Sequence, residues 1–156
     1  MSTRSLIGAY IAALFFVCCQ DHVPAGPAAS EERCYGDTVC ATISYRDELD
    51  STGWSVVAIS AELKNISGRT LSIDSTQKGT YIEIYDENST LVWISPRSWS
   101  GDSTVQSVTL PADSTHRYTD VWERIDFSSM PVPQGRYSIR GSILSKKTGE
   151  VVYTEL

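Results

Sequence analysis

Histidine is nearly missing from this chain, with two in 156 residues, and cysteine is sparse, with four. These residues are the usual material of metal centres and activated nucleophiles, so both chemistries have little to build on. Basic residues are also few: 13 Lys and Arg stand against 19 Asp and Glu, giving a net charge of -6. No basic cluster offsets that balance, which excludes nucleic acid as the natural partner. Long apolar runs are confined to one place, and no window carries a capped helical stripe. What is abundant is hydroxyl: 22 Ser and 14 Thr, nearly a quarter of the residues. At 41% hydrophobic and 21% charged, the composition fits one globular domain with a tail.

The single apolar run is Leu6 to Val17, LIGAYIAALFFV, preceded by Arg4 as the only charge before Asp21. Roughly 20 residues are needed to span a bilayer. A basic start followed by a run of this length reads as a secretory signal rather than a stable anchor, with an uncleaved anchor as the alternative. Phe16-Val17-Cys18-Cys19 resembles the end of a bacterial lipoprotein signal, in which a lipidated Cys becomes the new N-terminus. Lipidation at Cys19 would leave Cys34 and Cys40 as an even pair, whereas Cys18 would leave an odd thiol. Ordinary cleavage near Val23-Pro24-Ala25 is the other route and would release a secreted protein. The expected organisation is a signal over 1–18, a flexible tether over 19–36 and one domain over 37–156. Pro, Ala, Gly and charge without periodicity give the tether its character, and His22 lies within it.

Cys34 and Cys40 flank Tyr-Gly-Asp-Thr-Val, where Gly36-Asp37 supplies a turn. Two sulfurs without a nearby His make a poor zinc site, and export implies an oxidising compartment. A disulfide is the expectation.

From residue 38 onward, period-2 alternation is interrupted by turn residues every ten or so positions. Thr38–Tyr45, Trp54–Asn65, Thr70–Asp74, Tyr81–Asp86, Leu91–Ser95, Val105–Leu110, Ser114–Trp122, Arg136–Leu144 and Val151–Tyr153 read as strands. Lys146-Lys147-Thr148-Gly149 reads as the last turn. The sequons at Asn65 and Asn88 fall at turns and read as turn chemistry. An all-β, antiparallel two-sheet sandwich of about eight or nine strands follows.

Candidate chemistry is thin. His116 sits mid-strand with no nucleophile elbow in the sequence, and reads as a strand-surface residue. Asp47-Glu48 and Asp86-Glu87 are adjacent acids in turns, Asp102 and Asp113 are isolated, and no metal or cofactor is expected. Trp93, Trp122 and Tyr137 read as core. Trp99 differs: it lies in a polar loop, Pro96-Arg97-Ser98-Trp99, and an exposed Trp beside an Arg suits a protein contact. The alternative is a Trp folded back as a lid over the sandwich.

In order, Leu63-Lys64-Asn65-Ile66-Ser67-Gly68, Tyr81-Ile82-Glu83-Ile84-Tyr85-Asp86, Leu91-Val92-Trp93-Ile94-Ser95, Leu110-Pro111-Ala112-Asp113-Ser114, Trp122 and Val132-Pro133-Gln134-Gly135-Arg136-Tyr137-Ser138-Ile139-Arg140-Gly141 resemble the intracellular proteinase inhibitor (BsuPI) family. Asn88-Ser89-Thr90 and Ala112 stand where the family tends to carry Gly. The resemblance implies an immunoglobulin-like sandwich and a protein partner, a serine protease, met without catalysis. The loop expected to make the contact, Pro96, Arg97, Ser98 and Trp99, is chosen on its composition and not on a motif of the family. The export signal differs from the family's intracellular setting and implies an envelope location, with membrane contact only through a lipid on Cys19. A structural or assembly role in the envelope, without inhibition, is the alternative.

Overall fold

The computed structural model describes residues 29–76, 79–96 and 104–154. Ten strands account for most of them: β1 (Ala29–Tyr35), β2 (Val39–Leu49), β3 (Ser55–Asn65), β4 (Leu71–Ser75), β5 (Tyr81–Tyr85), β6 (Leu91–Ser95), β7 (Gln106–Leu110), β8 (Thr115–Trp122), β9 (Arg136–Ile143) and β10 (Lys146–Thr154). One sheet has the order β1-β2-β3-β8, the other β10-β9-β5-β6, and β4 pairs with β7 separately. Every pairing is antiparallel.

The alternation in the sequence sets the layers. Val57, Ile59, Ala61 and Leu63 share one face of β3 and are buried, as are Ile82 and Ile84 of β5 and Tyr137, Ile139 and Ile143 of β9. These faces meet in one hydrophobic core. Trp122, with no exposed surface, is met edge-on by Tyr137 at 5.2 Å and by Tyr153 at 5.8 Å. Tyr45 meets Tyr153 at 5.4 Å. Beyond area burial, each such aromatic pair adds roughly 0.5–1.5 kcal/mol.

Two expectations are corrected. Residues 29–35, assigned to the tether, form strand β1 and pair with β2 from Ala29↔Tyr45 to Tyr35↔Val39. The polar sequence conceals this strand, because its support comes from neighbours: the Tyr35 hydroxyl donates to the Lys147 carbonyl at 2.7 Å. Residues 29–35 therefore belong to the folded unit. Residues 146–149, read as a turn, lie in β10, which bulges between Lys147 and Glu150. The reversal is instead made by Leu144 and Ser145, with φ of 47° and 63°. Two successive left-handed residues form the hairpin turn that matches strand twist, here without Asn or Gly. Thr148, in the bulge, is buried and its hydroxyl accepts from the Gly141 N–H at 2.9 Å.

One turn design occurs three times. The Asp50 carboxylate accepts from the N–H groups of Thr52 and Trp54 at 2.8 and 2.9 Å. Asp86 does the same to Asn88 and Thr90 at 2.9 and 2.7 Å, and Asp126 to Ser128 and Met130 at 2.7 and 3.1 Å. The residue three places on is left-handed each time: Gly53, Ser89 and Ser129. A short acidic side chain can stand in for backbone acceptors in this way. All three turns sit at one end of the sandwich. The first joins β2 to β3 and the second joins β5 to β6, while the third follows β8, whose Trp122 pairs with Val57 near the start of β3.

Candidate functional site

The loop expected to contact a partner leaves from the end of β6. Pro96 lies within the described residues, half-buried and joined to Ser95 by a cis peptide. Arg97, Ser98 and Trp99 lie outside the described residues, as does Cys19. The stem of the loop is described on both sides. Its return passes through Val105, 62% exposed, into β7.

The outgoing stem is held from within. Ser95 is fully buried, and its hydroxyl shares a hydrogen bond of 2.6 Å with the Tyr118 phenol and donates to the Asp120 carboxylate. Tyr118 and Asp120 are two residues apart on β8 and so share a face. β6 and β8 are the outer strands of opposite sheets, so this cluster links the sheets along their shared edge. Burial raises the Tyr118 pKa; the Ser95 hydrogen bond lowers it, and the nearby Asp120 charge raises it again. The phenol is thus neutral at physiological pH and able to donate. Ser95 has no surface through which a substrate could reach it, so the chemistry open to this cluster is positioning.

His116 is correctly placed on β8 by the sequence, but it is half-buried rather than a surface residue. It lies opposite Leu63, on the face that carries Tyr118 and Asp120. The expected disulfide is present: Cys34 and Cys40 face each other across β1 and β2, with S–S 1.98 Å and Cα–Cα 4.0 Å. Gly36, at φ 58°, turns the chain between them. Potential ligand atoms of Glu32, Cys34 and Cys40 lie within 4.8 Å of one another. With both sulfurs in the disulfide, only one carboxylate there could hold a metal.

Trp93, Trp122 and Tyr137 are core residues, as their alternation implies. A shallow groove of about 640 Å³ crosses the outer face of the β1-β2-β3-β8 sheet between Arg46, Ser60, Arg117 and Val121. It is crossed by the Arg117–Glu62 ion pair at 2.7 Å, which is exposed and so worth little in water. Sequence reasoning singled out neither Tyr118 nor Asp120 as partners of Ser95. Twenty-three and 25 residues separate them from it, and only the strand order joins them.

No protein-family model matches the chain, and no curated protein shows significant similarity to it.

Proposed function

We propose that the chain is an exported, non-enzymatic protein-binding module of the immunoglobulin-like class that inhibits a serine protease through Pro96, Arg97, Ser98 and Trp99. The observation that carries this reading is the fixed stem. Ser95, clamped by Tyr118 and Asp120, fixes the point from which Pro96 departs, and a fixed point of departure leaves less freedom to lose on binding. The immunoglobulin-like type is supported by the order β10-β9-β5-β6 facing β1-β2-β3-β8. It is supported further by the Tyr137 hydroxyl, which donates to the Pro133 carbonyl four residues upstream at 2.5 Å, the tyrosine-corner arrangement of such domains. Export is supported by the Cys34–Cys40 disulfide together with the apolar run Leu6 to Val17, and membrane attachment by Cys19 in its lipoprotein-like setting.

Titration of the full chain against subtilisin-like and trypsin-like proteases tests the inhibitor reading. Saturable loss of protease activity, weakened by Trp99→Ala and Arg97→Ala, is the expected result. Full protease activity at micromolar chain overturns it.

The second reading is an envelope assembly module without inhibitory activity. Strand β8, eight residues long, has a sheet neighbour on one side only among the described residues, and its other side could take a partner strand. A defined envelope complex that survives Trp99→Ala would favour assembly over inhibition.

A further inference from the structure

Four large apolar side chains stand in water at the end of the sandwich that carries the three Asp turns. Trp54 is 75% exposed, Met130 61%, Phe127 55% and Leu49 53%. Trp54 closes the Asp50 turn and Leu49 precedes it; Phe127 and Met130 belong to the Asp126 turn. These turns are not loose. Asp50 and Asp126 each accept two backbone N–H groups, and the chain after β8 is tied to β2 by the Arg124–Asp47 ion pair at 2.9 Å. Apolar side chains are thus presented outward on braced tips, where burial in the core would ordinarily place them.

We infer that this end of the sandwich seats Trp54, Phe127 and Met130 in the interfacial layer of a lipid bilayer. The inference rests on the membrane-anchored reading above and deepens it by naming the face turned to the membrane.

The exit of the N-terminal chain favours this occupant. Ala29 pairs with Tyr45, and β1 runs antiparallel to β2, so toward lower residue numbers the strand heads for the Leu49 end. From Cys19 to Ala29 is ten peptide steps, at most roughly 35 Å when extended. About 13 Å of that reach only brings the chain level with Leu49, four residues beyond Tyr45 at about 3.3 Å each. In the other direction the far end of β3 lies about 20 Å from the level of Ala29, six residues beyond Ile59, which stands opposite Tyr45. An anchor at Cys19 thus keeps the exposed apolar residues within reach of the bilayer, and β1 is directed toward their end of the sandwich.

Charge narrows the lipid. Arg46 is paired with Glu48 and Arg124 with Asp47, and the Asp50, Asp86 and Asp126 carboxylates face backbone N–H groups of their own turns. Nothing here forms a basic patch that anionic headgroups would attract. A zwitterionic surface met through aromatic side chains fits better, since Trp favours the membrane–water interface.

The test uses the full chain reconstituted with phosphatidylcholine vesicles, plain or carrying brominated acyl chains, and Trp54→Phe beside the wild type. Subtracting the two fluorescence spectra isolates Trp54 from Trp93, Trp99 and Trp122. The expected result is loss of the Trp54 contribution in brominated vesicles, reduced when Phe127→Ser and Met130→Ser are combined. If the chain floats with the vesicles but the Trp54 contribution is equal in both lipids, the inference fails and anchoring stands. If the chain does not float with vesicles, the anchored reading fails and takes the inference with it.

Discussion

Asn65 is the side chain whose loss should cost the fold most per atom removed. It ends β3, has no exposed surface, and makes five hydrogen bonds. Its Nδ2 donates to the carbonyls of Arg69 (2.7 Å), Leu110 (2.9 Å) and Pro111 (2.9 Å). Its Oδ1 accepts from the Ser67 N–H at 2.9 Å and the Ser67 hydroxyl at 2.7 Å. One amide therefore joins the end of β3, the turn to β4 and the turn between β7 and β8. In Asn65→Ala the buried Leu110 carbonyl loses this donor, at about 2 kcal/mol, while the other four groups lie nearer water and lose about 0.5 kcal/mol each. The expected loss is about 4 kcal/mol, a large share of the roughly 5–15 kcal/mol that holds a typical domain together. Asn65→Asp should be no better, because it keeps both acceptor bonds but turns a carboxylate toward three carbonyl oxygens. Urea denaturation followed by tryptophan fluorescence measures this. With a slope near 1.5 kcal/mol per molar, the midpoint should fall by about 2.5 M at an unchanged slope. A loss under about 1 kcal/mol for Asn65→Ala, or an Asn65→Asp variant as stable as the wild type, would refute the account of Asn65 as the hub of these turns.

Three further predictions concern other parts of the fold. Replacing both Cys34 and Cys40 by Ser should lower stability by roughly 2 kcal/mol, with hydrogen exchange rising first in β1, read by denaturation and mass spectrometry. Gly141→Ala should cost roughly 3 kcal/mol, because a Cβ there would meet the Tyr81 carbonyl oxygen at 2.3 Å and backbone cannot move aside cheaply; a thermal melt checks it. Burial raises the Tyr118 pKa, so its contribution is complete below the ordinary tyrosine value of about 10 and is lost as pH rises above it. Tyr118→Phe should therefore flatten the decline of melting temperature above pH 10, and an unaltered alkaline slope would count against the buried phenol.

Nine of the ten strands are legible because their inward faces alternate with polar residues. β3 is the clearest case, with Val57, Ile59, Ala61 and Leu63 on one side. β1 is not legible, since Ser30, Glu31, Glu32 and Arg33 are all exposed and carry no period. Its strand conformation follows from the ladder with β2 and the disulfide, both of which depend on tertiary proximity. The turn at Leu144 and Ser145 is hidden for a different reason. Neither residue favours positive φ, while Lys146-Lys147-Thr148-Gly149 has turn composition but is drawn into β10, where Thr148 bonds Gly141. Of the candidate contact loop, Pro96 and its anchoring lie within the described residues. Ser95 stands beside Pro96 in the sequence, but its partners on β8 become apparent only once β6 and β8 are known to border opposite sheets. The Cys34–Cys40 disulfide was readable because the turn between the two residues is local.

The direction of β1 also determines how the domain would carry mechanical load. Tension drawn through the N-terminal chain toward the turn-bearing end pulls Ala29 along the strand axis, across the hydrogen bonds that join it to β2. Loaded in shear, the seven paired residues from Ala29 to Tyr35 resist together rather than opening one at a time. Near the far end of the ladder, Cys34 is bonded covalently to Cys40 on the neighbouring strand. A pull that broke every backbone bond of β1 up to that point would release only the residues before Cys34, and the force would then pass into β2 at the centre of the sheet. The disulfide thus acts as a mechanical stop that limits how far the domain can be drawn out by its own N-terminus.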